Sequence, residues 1–410
     1  MYTEKDIGIF SFLSSTPGVG GKLRKRVEDF YVEEIPLSIE KNENGKNLFI
    51  KVELKNWETN RFIKILAKNL GISKKRIRFA GTKDKRSISI QYFCILNYED
   101  DINLNLKDVR VLEVFRSNNE LNIGDLFGNK FVVYLSDTIC DERVSKIEDE
   151  LNGFFPNFFG VQRFGATRPI THLVGKFILQ RNFEEAVRYY IGYPSHFEKD
   201  EGREIFFNTL NPRETIKHIS NIASYERAML NYLINNPGDY IGALRVLPKN
   251  LLMLFIHAYQ SYLFNKMVSE RIRLNIHLSI GDIVMKTNSL CLPVQQYVKV
   301  NDFNIHKIEK LIEQKRAYIS TILFGYDSQF TEGIQGEIER NIIQEEGIDR
   351  KMFKIKEIPE ISSKGRRRNV FSPIINYSRS DCLFKFTLHR GSYATSLMRE
   401  FMKQKYLHFY

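Results

Sequence analysis

The sequence predicts an α+β protein in which two sheet-forming ends flank a more helical middle. Period-2 strand patterns crowd the first part of the chain and return near its end, while helical patterns dominate between them. A basic stretch, Lys364-Gly365-Arg366-Arg367-Arg368, reads as a loop at the later boundary. The expected organisation is one domain built from residues 1–164 and 373–410 around a mixed, largely antiparallel sheet, with residues 165–372 inserted into it.

The elements follow in order. Ile50, Val52 and Leu54 alternate with Lys51 and Glu53, a period-2 strand. Thr59 or Asn60 can cap the helix that follows, with Phe62, Ile65, Leu66 and Leu70 on its apolar face and Gly71 at its end. Ile88 to Tyr92 alternate again, so the segment Phe79–Arg86 lies just before a strand. Val109–Val114 and Phe131–Leu135 read as further strands. Phe154 to Gly165 holds five aromatics, two late glycines and Arg163, and suits neither a plain helix nor a plain strand. Leu251, Phe255, Ala258 and Tyr262 share one face of a long helix within Leu251–Arg273. Phe324–Asp327 is turn-like, and Gly336 to Gly347 is a charged helix ending in Gly. Leu383–Thr387 is a strand, followed by a helix from about Thr395. No internal repeat is present.

Composition narrows the function. The 410 residues carry 61 basic and 49 acidic side chains, a formal charge of +12, and the pI is near 9.3. That balance favours polyanions, nucleic acid above all. No apolar run of about 18 residues predicts a membrane span, and the first residues lack the shape of a signal peptide. Cys94, Cys140, Cys291 and Cys382 lie far apart with no C-x-x-C pair, so reduced, buried thiols in a cytoplasmic protein are expected. Eight histidines do not cluster at ligand spacing, so no metal site is expected; neither glycine-rich phosphate loop occurs, so no nucleotide cofactor is expected.

Candidate chemistry centres on Phe79-Ala80-Gly81-Thr82-Lys83-Asp84-Lys85-Arg86. From Lys74 to Arg86 the only acid is Asp84. Surrounding cations would keep that carboxylate ionised and available as a nucleophile, and the same cations, Lys83 among them, would hold a phosphate backbone. The plain alternative is a turn aspartate bonded to its own backbone. Arg24, in the basic triplet Arg24-Lys25-Arg26, could reach the carboxylate through a charge-assisted hydrogen bond; otherwise it is a solvated edge. In Asn157-Phe158-Phe159-Gly160 an aromatic ring could stack on a base, against the alternative of core packing, and Arg163 could contact phosphate. Arg366 to Arg368 divide evenly between a phosphate contact and a solvated loop. His257 and His389 read as packed or capping residues, and the Glu337/Glu339 and Glu345/Glu346 pairs as solvated.

Several segments together resemble the TruD family of pseudouridine synthases. They are Glu28-Asp29-Phe30-Tyr31-Val32-Glu33-Glu34, Gly81-Thr82-Lys83-Asp84-Lys85, Asn157 through Gly165, His257-Ala258-Tyr259-Gln260-Ser261-Tyr262-Leu263-Phe264-Asn265, and Gly391 through Glu400. They stand in family order, and Arg168-Pro169-Ile170-Thr171-His172 resembles archaeal members. The resemblance implies a pseudouridine-synthase catalytic domain with an inserted α/β family-specific domain. It implies conversion of uridine to pseudouridine in tRNA, typically at position 13, with no cofactor. It makes Asp84 the catalytic residue and Phe159 the ring that stacks on the target base, with Arg24 near the aspartate. Asn157, Lys83 and Arg163 are carried along as substrate-binding positions. The family often has Pro before E-D-F; this chain has Val27, which relaxes a backbone constraint and removes no chemical group.

Pseudouridine formation breaks the N1–C1′ bond, turns the uracil and rejoins it through C5. Nothing is oxidised and no group is lost. Attack at C1′, attack at C6 and elimination through a glycal all remain open, as does the group that removes the C5 proton. Two rival readings are a non-catalytic RNA-binding or chaperone protein, for which Asp84 would have no use, and a methyltransferase or deaminase, which would need a cofactor loop or zinc signature.

Overall fold

A computed structural model describes residues 1–83, 85–165, 167–195, 197 and 200–410. The chain forms two compact units. The sheet unit comprises Ser14–Phe155, Ser372–Gln404 and Phe409–Tyr410, and the helical unit comprises Met1–Leu13, Pro156–Phe371 and Lys405–His408. The two main breaks between these units fall at 155/156 and 371/372. The first thirteen residues join the helical unit for physical reasons. Asn265 Nδ2 donates to the Ile7 carbonyl at 2.9 Å, and the Phe10 N–H donates to Ser269 Oγ at 3.2 Å. Gly8, at φ +79°, lies so close to the helix Lys249–Arg273 that a Cβ would meet the Tyr262 carbonyl at 2.7 Å.

The sheet unit is built on eight strands. They include β1 (Phe30–Pro36), β2 (Asn47–Lys55), β3 (Ile77–Phe79), β4 (Ile88–Ile95), β5 (Val109–Ser117) and β6 (Leu126–Tyr134), with Ile375–Ser380 and Leu383–His389 returning from the far end. The order runs Ile375–Ser380, Leu383–His389, β6, β1, β4, β2, β5, with β3 also on β4. Among the described residues only β1 and β4 run parallel, so the sheet is mixed and largely antiparallel as expected. Helix α1 (Thr59–Asn69) buries Phe62, Ile63 and Leu66 with Val52, Leu54 and Phe93. Thr59 is the first helical residue, not a cap: Glu58 occupies the cap position without a side-chain bond, and the Thr59 hydroxyl is used elsewhere.

The helical unit packs around the long helix Lys249–Arg273, whose Phe255, Ile256, Tyr259, Leu263 and Met267 belong to one core. A four-stranded antiparallel sheet runs in the order Arg366–Asn369, Ala317–Leu323, Ile283–Thr287, Pro293–Lys299. Among the described residues no helix is long and apolar enough to cross a membrane.

Three further expectations need correction. Arg366–Asn369 is a strand rather than a loop, because it pairs along Ala317–Leu323. The glutamates of Gly333–Glu345 and its end are not all solvated. Glu339 is fully buried, accepting from Thr321 Oγ1 (2.7 Å), Thr331 Oγ1 (2.8 Å) and the Thr331 N–H (2.7 Å). Glu346 accepts from Lys176, Lys266 and Tyr259. Finally, Cys140 and Cys382 form a disulfide, with Cα atoms 5.4 Å apart. The pairing of Leu383–His389 with β6 brings them together, the Leu135 N–H donating to the Cys382 carbonyl at 2.9 Å. Cys94 and Cys291 are free; burial pushes the Cys94 thiol up to about 11.

Candidate active site

Asp84 lies outside the described residues, but the loop leading to it is closely defined. Lys83 is held at both ends. Its N–H donates to Thr59 Oγ1 at 2.8 Å, and its ammonium meets Glu34 Oε1 at 2.6 Å with the two side chains 8% and 2% exposed. Glu34 Oε2 accepts from the Tyr92 N–H at 3.0 Å, tying β1 to β4. The Thr59 hydroxyl donates to Gln91 Oε1 at 3.1 Å. A buried ion pair whose lone pairs are also filled is costly to break. Lys83 is therefore spent on Glu34, within the protein.

Arg24 stands nearby on the same unit. Its backbone is left-handed, φ +55°, a conformation that costs a non-glycine residue roughly 1 kcal/mol or more. Its guanidinium carbon lies 4.2 Å from the Phe30 ring centroid, and its carbonyl accepts from Arg86 Nη2 at 3.1 Å. The turn behind it is pinned by buried Asp29, which accepts from the Arg26 N–H (2.8 Å), the Arg26 guanidinium (2.9 Å) and Ser136 Oγ (3.0 Å). Arg76, in the same basic run, donates to the Leu96 and Asn97 carbonyls. Lys74, Lys75, Arg78, Lys85 and Arg86 are exposed.

The remaining candidates sit together in the helical unit. Asn157 is 1% exposed. Its Nδ2 donates to the Asn369 carbonyl (3.1 Å) and Oδ1 (3.0 Å), and its own Oδ1 accepts from Arg368 Nη2 at 2.7 Å. It is a positioning residue. Phe159 is fixed through its main chain by Asn265, which accepts from its N–H at 2.9 Å and donates to its carbonyl at 3.1 Å. The Arg368 guanidinium carbon lies 4.1 Å from the Phe159 ring centroid, Arg163 lies at 5.3 Å, and Phe264 packs edge-on at 5.5 Å. The ring is only 3% exposed, so in this state it is closed rather than an open platform. Arg163 Nε donates to Ser261 Oγ at 3.2 Å. His257, one turn earlier on the long helix, is held down to about 4 by burial and then by Arg163 and Arg366.

The family is settled by comparison with known proteins. The family model described as tRNA pseudouridine synthase D (TruD) matches residues 6–401. The chain belongs to the TruD family. Relatives bearing the name tRNA pseudouridine synthase D include one from Methanosarcina acetivorans, 40% identical over 98% of this chain and 96% of that protein. Another, from Picrophilus torridus, is 36% identical over 98% of both. A crystal structure of a TruD protein from Methanosarcina mazei superposes with a TM-score of 0.82 at 38% identity, covering 98% of each chain. The fold of this TruD-family chain is thus that of a pseudouridine synthase.

Sequence reasoning missed three residues that organise these TruD motifs. Glu34 has a signal: it follows Phe30 and Val32 on the inward face of β1, and an acid at an inward position demands a buried partner. Thr59 and Asn265 have none, since their partners are set by tertiary packing alone. Among the described residues, no group of three or more His, Cys, Asp and Glu could hold a metal.

Proposed function

We propose that this protein isomerises uridine to pseudouridine in tRNA, at position 13, with Asp84 as the nucleophile and no cofactor. The observation that carries the reading is the immobilised Lys83. The residue next to Asp84 is clamped at its main chain by Thr59 and at its ammonium by Glu34, so the loop enters Asp84 from a fixed point. A nucleophile needs that kind of preorganisation, because misplacement by about 1 Å can cost on the order of a hundredfold in rate. A simple RNA binder has no such need. Arg24 and Arg86, linked to one another, are the cations assigned to keep the Asp84 carboxylate ionised.

The catalytic domain is assigned to residues 1–164 and 373–410, which include Asp84 and Phe159, and residues 165–372 to a family-specific insertion. Phe159 is the ring assigned to the extruded uracil, and stacking offsets part of the unstacking cost. Because the ring is closed here, the base reaches it only by displacing a neighbour. Asn157 acts by tying the segment that carries Phe159 to the strand Arg366–Asn369, and Arg163 faces the RNA. A tRNA substrate puts the protein in the cytoplasm.

The deciding experiment maps pseudouridine in tRNA incubated with wild type and with Asp84→Asn. The variant is expected to bind tRNA near wild-type affinity and to make no pseudouridine. Product formation by Asp84→Asn would refute the nucleophile role, and tRNA binding without turnover by the wild type would favour the chaperone reading.

A further inference from the structure

We propose that Arg163, His257 and Arg366 form a subsite for one phosphodiester of an RNA strand, set beside the Phe159 ring. The inference rests on the RNA-substrate reading and adds to it a specific contact in the helical unit.

The strand Arg366–Asn369 divides its arginines between two faces. Arg367 points inward. It is 8% exposed, donates to the Ser320 carbonyl (3.0 Å) and Thr331 Oγ1 (2.6 Å), and lies 3.6 Å from Glu339. That anchor fixes the register, so Arg366 and Arg368 share the opposite face. Arg368 lies against Phe159 and is bound to Asn157. Arg366, two residues away, is exposed.

Arg163 approaches the same place from the turn Val161–Arg163, over the same ring and bonded to Ser261. His257 lies one turn from Ser261, whose hydroxyl donates to the His257 carbonyl at 2.7 Å. Arg163 and Arg366 are both near enough to oppose protonation of its imidazole. Among the described residues neither guanidinium has a carboxylate partner, whereas Arg367, Arg379 and Arg271 each have one. Two guanidiniums near one imidazole that burial keeps neutral, neither paired with a carboxylate among the described residues, leave a positive site that a phosphodiester neutralises. The guanidiniums would bind it by charge-assisted hydrogen bonds, and the imidazole can donate a ring N–H.

The test uses the full-length Asp84→Asn protein and two RNA ligands. One is a tRNA-derived stem–loop containing the target uridine. The other is the same RNA with one methylphosphonate, a neutral linkage, beside that uridine. Arg163→Gln and Arg366→Gln are each expected to weaken binding about tenfold or more and to lower the slope of log affinity against log salt by roughly one. The methylphosphonate should weaken the parent protein and have little further effect on the double variant. Equal losses from the methylphosphonate in the parent and the double variant, or an unchanged salt slope in both single variants, would overturn the subsite. Arg366 is exposed and forms no ion pair among the described residues, so its variant tests the idea even if Arg163→Gln misfolds. Failure here would leave pseudouridine formation untouched, whereas absence of product from wild type, with these binding effects intact, would sink only the activity.

Discussion

Two small sets of cations, one in each unit, use their positive charge in opposite ways. In the sheet unit, the lysine that precedes Asp84 is buried against Glu34, and Arg76 is bonded to backbone carbonyls. In the helical unit, Arg163 is bonded to Ser261 and neither it nor Arg366 forms an ion pair among the described residues. A cation satisfied within the protein fixes geometry; one left without a counter-ion attracts a polyanion. A basic run in sequence does not distinguish these uses. The difference is made by one inward-facing acid.

The largest expected effect comes from breaking the sheet-unit clamp. Glu34→Ala leaves the Lys83 ammonium buried without its counter-charge, and should cost about 3–5 kcal/mol in urea unfolding. A Glu34→Leu/Lys83→Met pair should recover most of that stability, because it removes both charges. A single-variant loss below about 1 kcal/mol would show that the pair does not hold the loop.

Acid should act next, on the helical unit. Burial holds His172 down to about 3, against 6.5 for a free imidazole; its ring is stacked on Tyr262 and meets Phe164 edge-on. Burial alone would raise Glu346, but the ammoniums of Lys176 and Lys266 outweigh it and hold the carboxyl near 2. Both groups bind protons more weakly folded than unfolded. Their stabilisation is complete above about pH 6.5, falls as the unfolded chain protonates His172 below that, and falls again below about 4.5 for Glu346, by on the order of a few kcal/mol in all. Hydrogen exchange of Thr171–Leu179 across pH 7 to 3 reads this directly. Flat protection would contradict it.

The arginine pair separated by one residue sharpens the comparison further. Arg368→Lys loses the fork that meets Asn157 and the planar contact with Phe159. Turnover should fall about tenfold to a hundredfold while the salt dependence of tRNA binding stays put. Arg366→Gln should do the reverse, with its main effect on the salt slope. The same response from both would erase the distinction between a positioning guanidinium and one that meets RNA.

Much of the fold was legible because its signals are periodic. The alternation at Ile50, Val52 and Leu54 marks β2, and the apolar face from Leu251 to Tyr262 marks the long helix. The Arg366–Arg368 strand was not legible, since three successive arginines carry no apolar alternation and their pairing with Ala317–Leu323 supplies the pattern. Nor was the cysteine pair, since a separation of 242 residues becomes short only through the pairing beside β6. In the candidate site, the motifs pointed to Phe159 as a stacking ring and Arg163 as a phosphate contact, and the structure sets the two against each other. They did not distinguish Asn157 and Lys83, which hold the structure, from residues facing substrate, because burial decides that and no spacing encodes it.

The place of Leu383–His389 in the sheet has a consequence for biosynthesis. This strand lies between β6 and Ile375–Ser380. On the ribosome, β6 emerges with β1 on one side and nothing on the other, and it waits through Pro156–Phe371 for its second neighbour. Throughout that interval it exposes a row of main-chain donors and acceptors, an invitation to pair with another nascent chain. A stalled or truncated product would keep that edge open permanently, so loss of the final strands should produce aggregates rather than a trimmed enzyme.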